Sequence, residues 1–126
     1  MAFKPDGYTS VAPYLVVADA EATLGFLKEV FGSEPLRAFR RDDGTIMHAE
    51  VRIDDTVVML GQMEGGPAAH VHVYVADADA TLARAVAAGG TVAQEVQDKG
   101  DGDRRGGVRD ANGTTWWFST QIGAAP

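Results

Sequence analysis

Hydrophobic and polar residues alternate in several short stretches of the chain, and two of these stretches are followed by a helical pattern. Val11–Val17 (VAPYLVV) and His70–Val75 (HVHVYV) alternate with a period of two, which is typical of a strand with one buried face. Apolar residues then recur at helical spacing, at Leu24, Leu27, Val30 and Phe31 and again at Leu82 and Val86. The pattern therefore predicts a strand followed by an amphipathic helix in two places.

The two strand–helix segments are copies of one another. VADAEATL at Val17–Leu24 and VADADATL at Val75–Leu82 agree at seven of eight positions, 58 residues apart. Glycines follow each predicted helix, at Gly32 and at Gly89–Gly90, where a left-handed residue commonly ends a helix. The chain is therefore read as a tandem duplication.

Three further strands are predicted after each helix. They are Leu36–Arg40, Thr45–Ile53 and Thr56–Gly61 in the first copy, and Thr91–Val96, Asp103–Arg109 and Thr114–Thr120 in the second. The predicted fold class is α+β, with βαβββ modules at about residues 9–61 and 70–120 and a Gly-rich linker at 62–69. One helix covers only one face of a sheet, so we expect the modules to pair around a shared cleft within one domain of residues 1–126.

Strand parity predicts which side chains line this cleft, because alternate residues point to opposite faces. The apolar set assigned to the helix side is Val11, Leu15, Val17, Met47, Ala49, Val51, Ile53, Val58, Leu60, Val71, Val73, Val75, Trp116 and Phe118. The candidate ligand-binding residues on the opposite side are Tyr14, His48, Glu50, Met59, His70, His72, Tyr74, Arg105 and Trp117. Val57 and Gly107 have the same parity as these, and Gly107 would leave room for a flat guest beside Trp117.

Composition narrows the functional classes. The chain has no Cys, which excludes disulfides, a thiol nucleophile and thiolate metal sites. Its net charge of −7 argues against nucleic acid as a partner and favours cationic small molecules. No signal peptide or membrane-spanning stretch is evident in the sequence, so we expect a cytoplasmic protein that does not enter a membrane.

The paired modules resemble a known family. VVADAEATLGFLKEVFG, MHAEVRIDDTVVML, HVYVADADATLARAVAAGG and GDRRGGVRDANGTTWWF are similar to segments of the glyoxalase / bleomycin resistance protein / extradiol dioxygenase (vicinal oxygen chelate) superfamily, most closely its small PhnB-like branch. The resemblance spans about residues 9–120. It implies the paired-module fold, and it covers both metal enzymes and metal-free binding proteins.

The resemblance also implies where a metal would be held. The four ligand positions of the family's metal enzymes fall at Ala12, Met59, His70 and Trp117. Of these only His70 offers a suitable donor atom, since an alanine has none, a thioether is soft and an indole N–H cannot bind a cation. We therefore predict no metal and no cofactor. A relocated site that uses His48, His70 or His72 stays open as an alternative.

Two functions follow from this interpretation. The first is a metal-free binding protein of the bleomycin-resistance type, which sequesters a planar aromatic molecule, cationic or antibiotic-like, by stacking on Trp117 in the cleft. The alternative is a metal-dependent or His-based lyase, isomerase or dioxygenase in which His48 is the base and Glu50 orients it. The resemblance further implies a homodimer, with or without exchange of modules between chains.

Overall fold

A computed structural model describes residues 3–98 and 100–123. The chain forms two compact units, Met1–Pro67 and Ala68–Pro126, and the boundary falls inside the predicted linker. The first unit contains β1 (Tyr14–Val17), α1 (Ala20–Phe31), β2 (Pro35–Arg40), β3 (Ile46–Ile53) and β4 (Thr56–Gln62). The second contains β5 (His70–Tyr74), α2 (Ala78–Ala87), β6 (Thr91–Asp98), β7 (Asp103–Arg109) and β8 (Thr115–Gln121). That the two units form one domain around a shared cleft stays a prediction.

Each unit has a four-stranded sheet with the same topology. The strand orders are β1-β4-β3-β2 and β5-β8-β7-β6, with the first pair of each sheet parallel and the others antiparallel. The register also repeats, because Tyr14 pairs with Met59 and His72 pairs with Trp117, each 58 residues further along. The predicted α+β class and the tandem βαβββ order are confirmed.

The helices begin where the sequence places a carboxylate. The side chain of Asp19 accepts a hydrogen bond from the amide of Ala22 at 3.1 Å, and Asp77 accepts one from Ala80 at 3.0 Å. Both caps satisfy an amide that the helix itself leaves without a partner.

The helices end differently in the two units. Gly32 has a left-handed φ of 69° and donates to the carbonyl of Lys28. After α2 it is Gly89 that has a positive φ, of 98°. Gly90, which the 58-residue repeat aligns with Gly32, is needed for a close approach instead, since a Cβ there would lie 2.2 Å from a methyl carbon of Val108.

Most of the predicted core is buried, and the exceptions have local causes. Leu15, Val17, Ala49, Val51, Ile53, Val58, Leu60, Trp116 and Phe118 are buried as predicted, while Val71, Val73 and Val75 are half-buried. Val11 was expected to pack on the helix but is 81% exposed, because β1 begins only after Pro13.

A bulge in β3 moves another predicted core residue to the surface. Met47 is 51% exposed and Ile46 is buried in its place, since the register between β2 and β3 shifts between Phe39 and Arg40. A β-bulge changes the face on which the following residues lie, and simple alternation does not anticipate it.

The predicted set of buried helix residues was also partly wrong. In α1, Phe26 is buried while Leu24 and Phe31 are only half-buried, and in α2 Val86 is exposed.

Within the described residues, neither helix has the length and apolar character that a membrane span requires.

Candidate functional site

One row of side chains crosses all four strands of the first sheet. Tyr14 of β1 pairs with Met59 of β4, Met59 pairs with Glu50 of β3, and Glu50 pairs with Arg37 of β2. Directly paired residues share a face of a sheet. The predicted site residues Tyr14, Glu50 and Met59 therefore lie side by side, and Arg37 extends their row.

Glu50 is the centre of a polar network on this face. Its side chain is 7% exposed. One carboxylate oxygen accepts from Arg37 Nε at 2.9 Å and from the hydroxyl of Tyr8 at 2.5 Å. The other contacts His48 Nε2 at 2.8 Å. Burial raises the pKa of Glu50, but the hydrogen bonds from His48 and Tyr8 and the charge of Arg37 outweigh it, so the pKa lies below its ordinary value.

His48 connects this carboxylate to a strand tyrosine. Its Nε2 faces Glu50, and its Nδ1 lies 3.2 Å from the hydroxyl of Tyr14. The ring also contacts Phe39, at 6.2 Å between centroids. The predicted pairing of His48 with Glu50 is thus present, with a tyrosine at its outer end.

The segment before β1 contributes to the same face. Arg37 also donates to the hydroxyl of Tyr8 at 3.2 Å, and Arg52 donates to the carbonyl of Gly7. A cavity of about 330 Å³ lies between this segment and the sheet, lined by Phe3, Lys4, Pro5, Tyr8, Thr9, Ser10, Ala12, Arg37, Glu50 and Met59. The predicted cleft-side residue Val57 is fully buried on this sheet, opposite Arg52.

Sequence reasoning missed two members of this network, Tyr8 and Arg37. Tyr8 precedes the first strand and belongs to no periodic pattern, so no local signal marks it. Arg37 could have been found, because β2 was predicted and the row through Glu50 follows from pairing β2 with β3.

The second sheet has an equivalent row with different side chains. His72 pairs with Trp117, Trp117 with Gly107, and Gly107 with Gln94. His70, Tyr74 and Arg105 share this face, because they pair with Thr115, Ser119 and Ser119 respectively. The five site residues predicted for the second module are therefore brought together on one face, that of the second sheet.

Trp117 lies flat against the backbone of Gly107. A Cβ at position 107 would lie 2.7 Å from Cε3 and 2.8 Å from Cζ3 of the indole. The space beside Gly107 was predicted to receive a flat guest. It receives the indole ring itself, so the surface open to a ligand is the outer face of that ring.

Trp117 and His70 form a continuous flat surface. The indole N–H donates to His70 Nδ1 at 3.1 Å, and the two ring planes differ by 13° with centroids 6.3 Å apart. An indole N–H lies in the plane of its ring, so this hydrogen bond places the rings edge to edge rather than one above the other. We call the pair the aromatic platform.

The remaining polar residues of this face are tied to one another. His72 Nε2 lies 2.8 Å from the hydroxyl of Ser119, and the His72 ring meets Tyr74 edge-on at 4.8 Å. Tyr74 donates to Asp103 at 2.9 Å, and this hydrogen bond together with burial raises the pKa of Tyr74.

Arg105 is held by two carboxylates. Its guanidinium contacts Asp101 at 2.8 Å and Asp103 at 3.5 Å. The hydrogen bond with Asp101 raises the pKa of Arg105 and lowers that of Asp101. The predicted role of Arg105 in holding a ligand would therefore require competition with these two carboxylates.

The donor atoms do not fit the metal site of the related enzymes. Residues 3–98 and 100–123 contain no group of three or more His, Cys, Asp or Glu side chains placed to hold an ion. At the four family positions, His70 Nδ1 accepts from Trp117, and Ala12 and Met59 supply no oxygen or nitrogen ligand.

The comparison with known proteins agrees with the fold. The chain matches the Glyoxalase/Bleomycin resistance protein/Dioxygenase superfamily over residues 7–118. It belongs to this superfamily. The resemblance inferred from the sequence is confirmed at that level, and the narrower PhnB-like branch stays a prediction.

Three known proteins are similar to this chain. The uncharacterized protein Mb0911c of Mycobacterium bovis is 35% identical over 121 residues, covering 85% of this chain and 80% of the relative. The structure of TioX from Micromonospora sp. ML1 is 29% identical with a TM-score of 0.72, covering 90% of this chain and all of TioX. The fosfomycin resistance protein FosX of Mesorhizobium loti shares the fold, at 19% identity and a TM-score of 0.68, with 89% of this chain and 91% of FosX covered.

Proposed function

We propose that the protein binds a small planar aromatic molecule, without a metal, by stacking it on the aromatic platform of Trp117 and His70. The observation that carries the proposal is the edge-to-edge hydrogen bond of 3.1 Å between these two rings, which differ in tilt by only 13°. A flat guest on such a surface gains about 0.5–1.5 kcal/mol beyond burial, and a cationic one gains about 0.5–2 kcal/mol, the upper value applying where the contact excludes water.

Rigidity supports the same function. Gly107 lies against the inner face of the indole, and the hydrogen bond to His70 restrains its edge. A ring fixed before binding loses little side-chain freedom when the ligand arrives, and this preorganisation increases affinity. The net charge of −7 adds a long-range attraction for a cation.

A titration with two matched dyes tests the proposal. Proflavine and acridine have the same tricyclic ring system, but proflavine is cationic at neutral pH and acridine is neutral. We expect calorimetry to show binding of proflavine to the parent protein, weaker binding of acridine, and a loss of at least tenfold in affinity for both in Trp117→Ala. Phe39→Ala, which removes a partly exposed aromatic ring from the first unit, is the control and should leave affinity unchanged. Equal affinity in Trp117→Ala and the parent would refute the function.

A second candidate function rests on the first unit. The 2.8 Å contact between His48 Nε2 and Glu50 favours an acid–base pair of the kind used by lyases and isomerases, with the buried carboxylate orienting the imidazole. Metal analysis of the purified protein distinguishes a metal-dependent enzyme from one that uses His48 alone as the base. Stoichiometric Zn, Ni, Fe or Mn would favour a metal enzyme with a relocated site.

Assembly and location form part of the proposal. Superfamily members are commonly dimers that bind small molecules. We infer a homodimer for this chain, with or without exchanged modules, in the cytoplasm. Light scattering after size-exclusion chromatography should give twice the 13.3 kDa chain mass, and a monomer mass would contradict the dimer.

A further inference from the structure

We propose that Tyr14 is a reactive tyrosine, whose hydroxyl oxygen accepts an acyl or sulfonyl group from a small electrophile while His48 takes the proton. Three residues carry the inference: Tyr14, His48 and Glu50 are linked in series by contacts of 3.2 Å and 2.8 Å. Nothing in the stacking function of Trp117 uses them.

We call the series Tyr14–His48–Glu50 the relay. The hydrogen bonds of Glu50 determine in which direction a proton moves along it, from Tyr14 to His48. An ionised carboxylate only accepts hydrogen bonds, and Glu50 is kept ionised by Arg37 at 2.9 Å and by the hydroxyl of Tyr8. Whenever the His48 ring carries a single hydrogen, that hydrogen lies on Nε2, which faces the carboxylate of Glu50. Its Nδ1 then has a lone pair directed at the hydroxyl of Tyr14, which donates to it.

Solvent exposure increases along the relay from Glu50 to Tyr14. The Glu50 side chain is 7% exposed and that of His48 is 23% exposed, while Tyr14 is 51% exposed. Tyr14 is therefore the member of the series that solvent reaches most, whereas the base and its orienting carboxylate are progressively shielded. Shielding strengthens the attraction between Glu50 and the imidazolium that forms when the proton is transferred.

Tyr74 provides an internal contrast. It is 61% exposed and also lies on a strand, but its hydroxyl donates to the carboxylate of Asp103 at 2.9 Å. That carboxylate disfavours the negative charge that a reacting tyrosine develops, and the pKa of Tyr74 is raised accordingly. Two comparably exposed tyrosines therefore contact different groups, a carboxylate at Tyr74 and an imidazole nitrogen at Tyr14.

The step balances without a cofactor. With an aryl sulfonyl fluoride, the Tyr14 oxygen attacks sulfur, an O–S bond forms, the S–F bond breaks and fluoride leaves. The phenolic proton passes to His48 Nδ1 and then to water. With an activated ester the same sequence forms an O–acyl bond and releases the alcohol or phenol as leaving group.

The inference extends the second candidate function and is independent of the first. The second candidate function treats His48 and Glu50 as an acid–base pair. Both ring nitrogens of His48 are already in contact with protein groups, so the inference assigns the contact with a substrate to the hydroxyl of Tyr14. Labelling rate is the readout rather than turnover. A failure of planar-ligand binding at Trp117 would leave this inference untouched, and the reverse also holds.

The experiment measures site-resolved labelling by benzenesulfonyl fluoride with peptide mass spectrometry. We expect Tyr14 to be labelled at least tenfold faster than free N-acetyltyrosine amide, which has no neighbouring base, and Tyr74 to be labelled more slowly than that reference. His48→Phe should reduce the Tyr14 rate about tenfold, while Val86→Ala, an exposed position on α2, should leave it unchanged.

Two outcomes would overturn the proposal. One is a Tyr14 rate no higher than that of free N-acetyltyrosine amide in the parent protein, a comparison that needs no variant to fold. The other is an unchanged Tyr14 rate in His48→Phe with a native circular dichroism spectrum.

Discussion

The indole of Trp117 packs against the backbone of Gly107, so closely that a Cβ at position 107 would lie 2.7 Å from the ring. The corresponding strand pair of the first unit has Met59 beside Glu50. The two copies of this row therefore differ at both positions. The second copy has the larger Trp117 in place of Met59, and Gly107, which has no side chain, in place of Glu50. As a result, the row in the first sheet forms a polar network around Glu50, whereas the row in the second sheet presents the flat ring of Trp117.

Gly107→Ala should displace the indole and weaken ligand binding. The added methyl group cannot fit without moving Trp117, so we expect about tenfold weaker proflavine binding, measured by calorimetry. Overpacking of this kind costs about 1–3 kcal/mol of stability. Gly25→Ala is the control, since a Cβ in that helix position meets nothing within 4 Å and should leave binding unchanged. Parent-like affinity in Gly107→Ala would contradict the described packing.

Glu50→Gln should change how stability depends on pH. The pKa of Glu50 lies below the ordinary value of about 4.5, so its carboxylate stabilises the folded state above that pH and loses this effect as pH falls through the folded pKa. Urea unfolding should show the parent more stable than Glu50→Gln at pH 7. The difference should narrow progressively below about pH 4.5.

The control for this pH dependence is Glu29→Gln, an exposed position on α1 that removes the same charge. It should show a small difference at pH 7. A stability difference between the parent and Glu50→Gln that stays constant from pH 7 to the acid limit would show that the network does not hold Glu50 in its ionised form.

Tyr8→Phe should loosen the segment that precedes β1. The substitution keeps the ring but removes the hydroxyl that donates to Glu50 and accepts from Arg37. Hydrogen bonds to charged groups contribute about 1.5–3 kcal/mol, so exchange of the residue 8 amide, which donates to the carbonyl of Pro5 at 3.3 Å, should accelerate at least tenfold. Tyr74→Phe, in the second unit, should leave this exchange as it is. Protection that survives in Tyr8→Phe would mean that other contacts hold the segment.

The repeat made most of the fold predictable from the sequence. Alternation identified the first strand of each copy, and the turn-separated segments of the repeat identified the other strands found in the described residues. The 58-residue offset correctly related Met59 to Trp117 before any pairing was known. Parity then placed His70, His72 and Tyr74 on one face, because an unbulged strand keeps its alternation.

What alternation could not predict depends on tertiary contacts. The position of Tyr8 follows from where an irregular segment crosses the sheet, which no local period encodes. Met47 lies at a bulge, where the two-residue period fails. Gly107 was correctly placed beside Trp117, but only the side-chain conformation reveals that the indole itself occupies the space.

The two indole groups of the chain allow the most direct test of planar-ligand binding. Trp116 is fully buried and donates to Asp110 at 2.9 Å, whereas Trp117 is half-buried and donates to His70 at 3.1 Å. Each gives its own N–H signal in a nitrogen–proton correlation spectrum, assigned with Trp117→Phe. On titration with proflavine, the Trp117 signal should shift strongly and the Trp116 signal should stay nearly fixed. Proflavine binding that leaves the Trp117 signal in place would contradict the account.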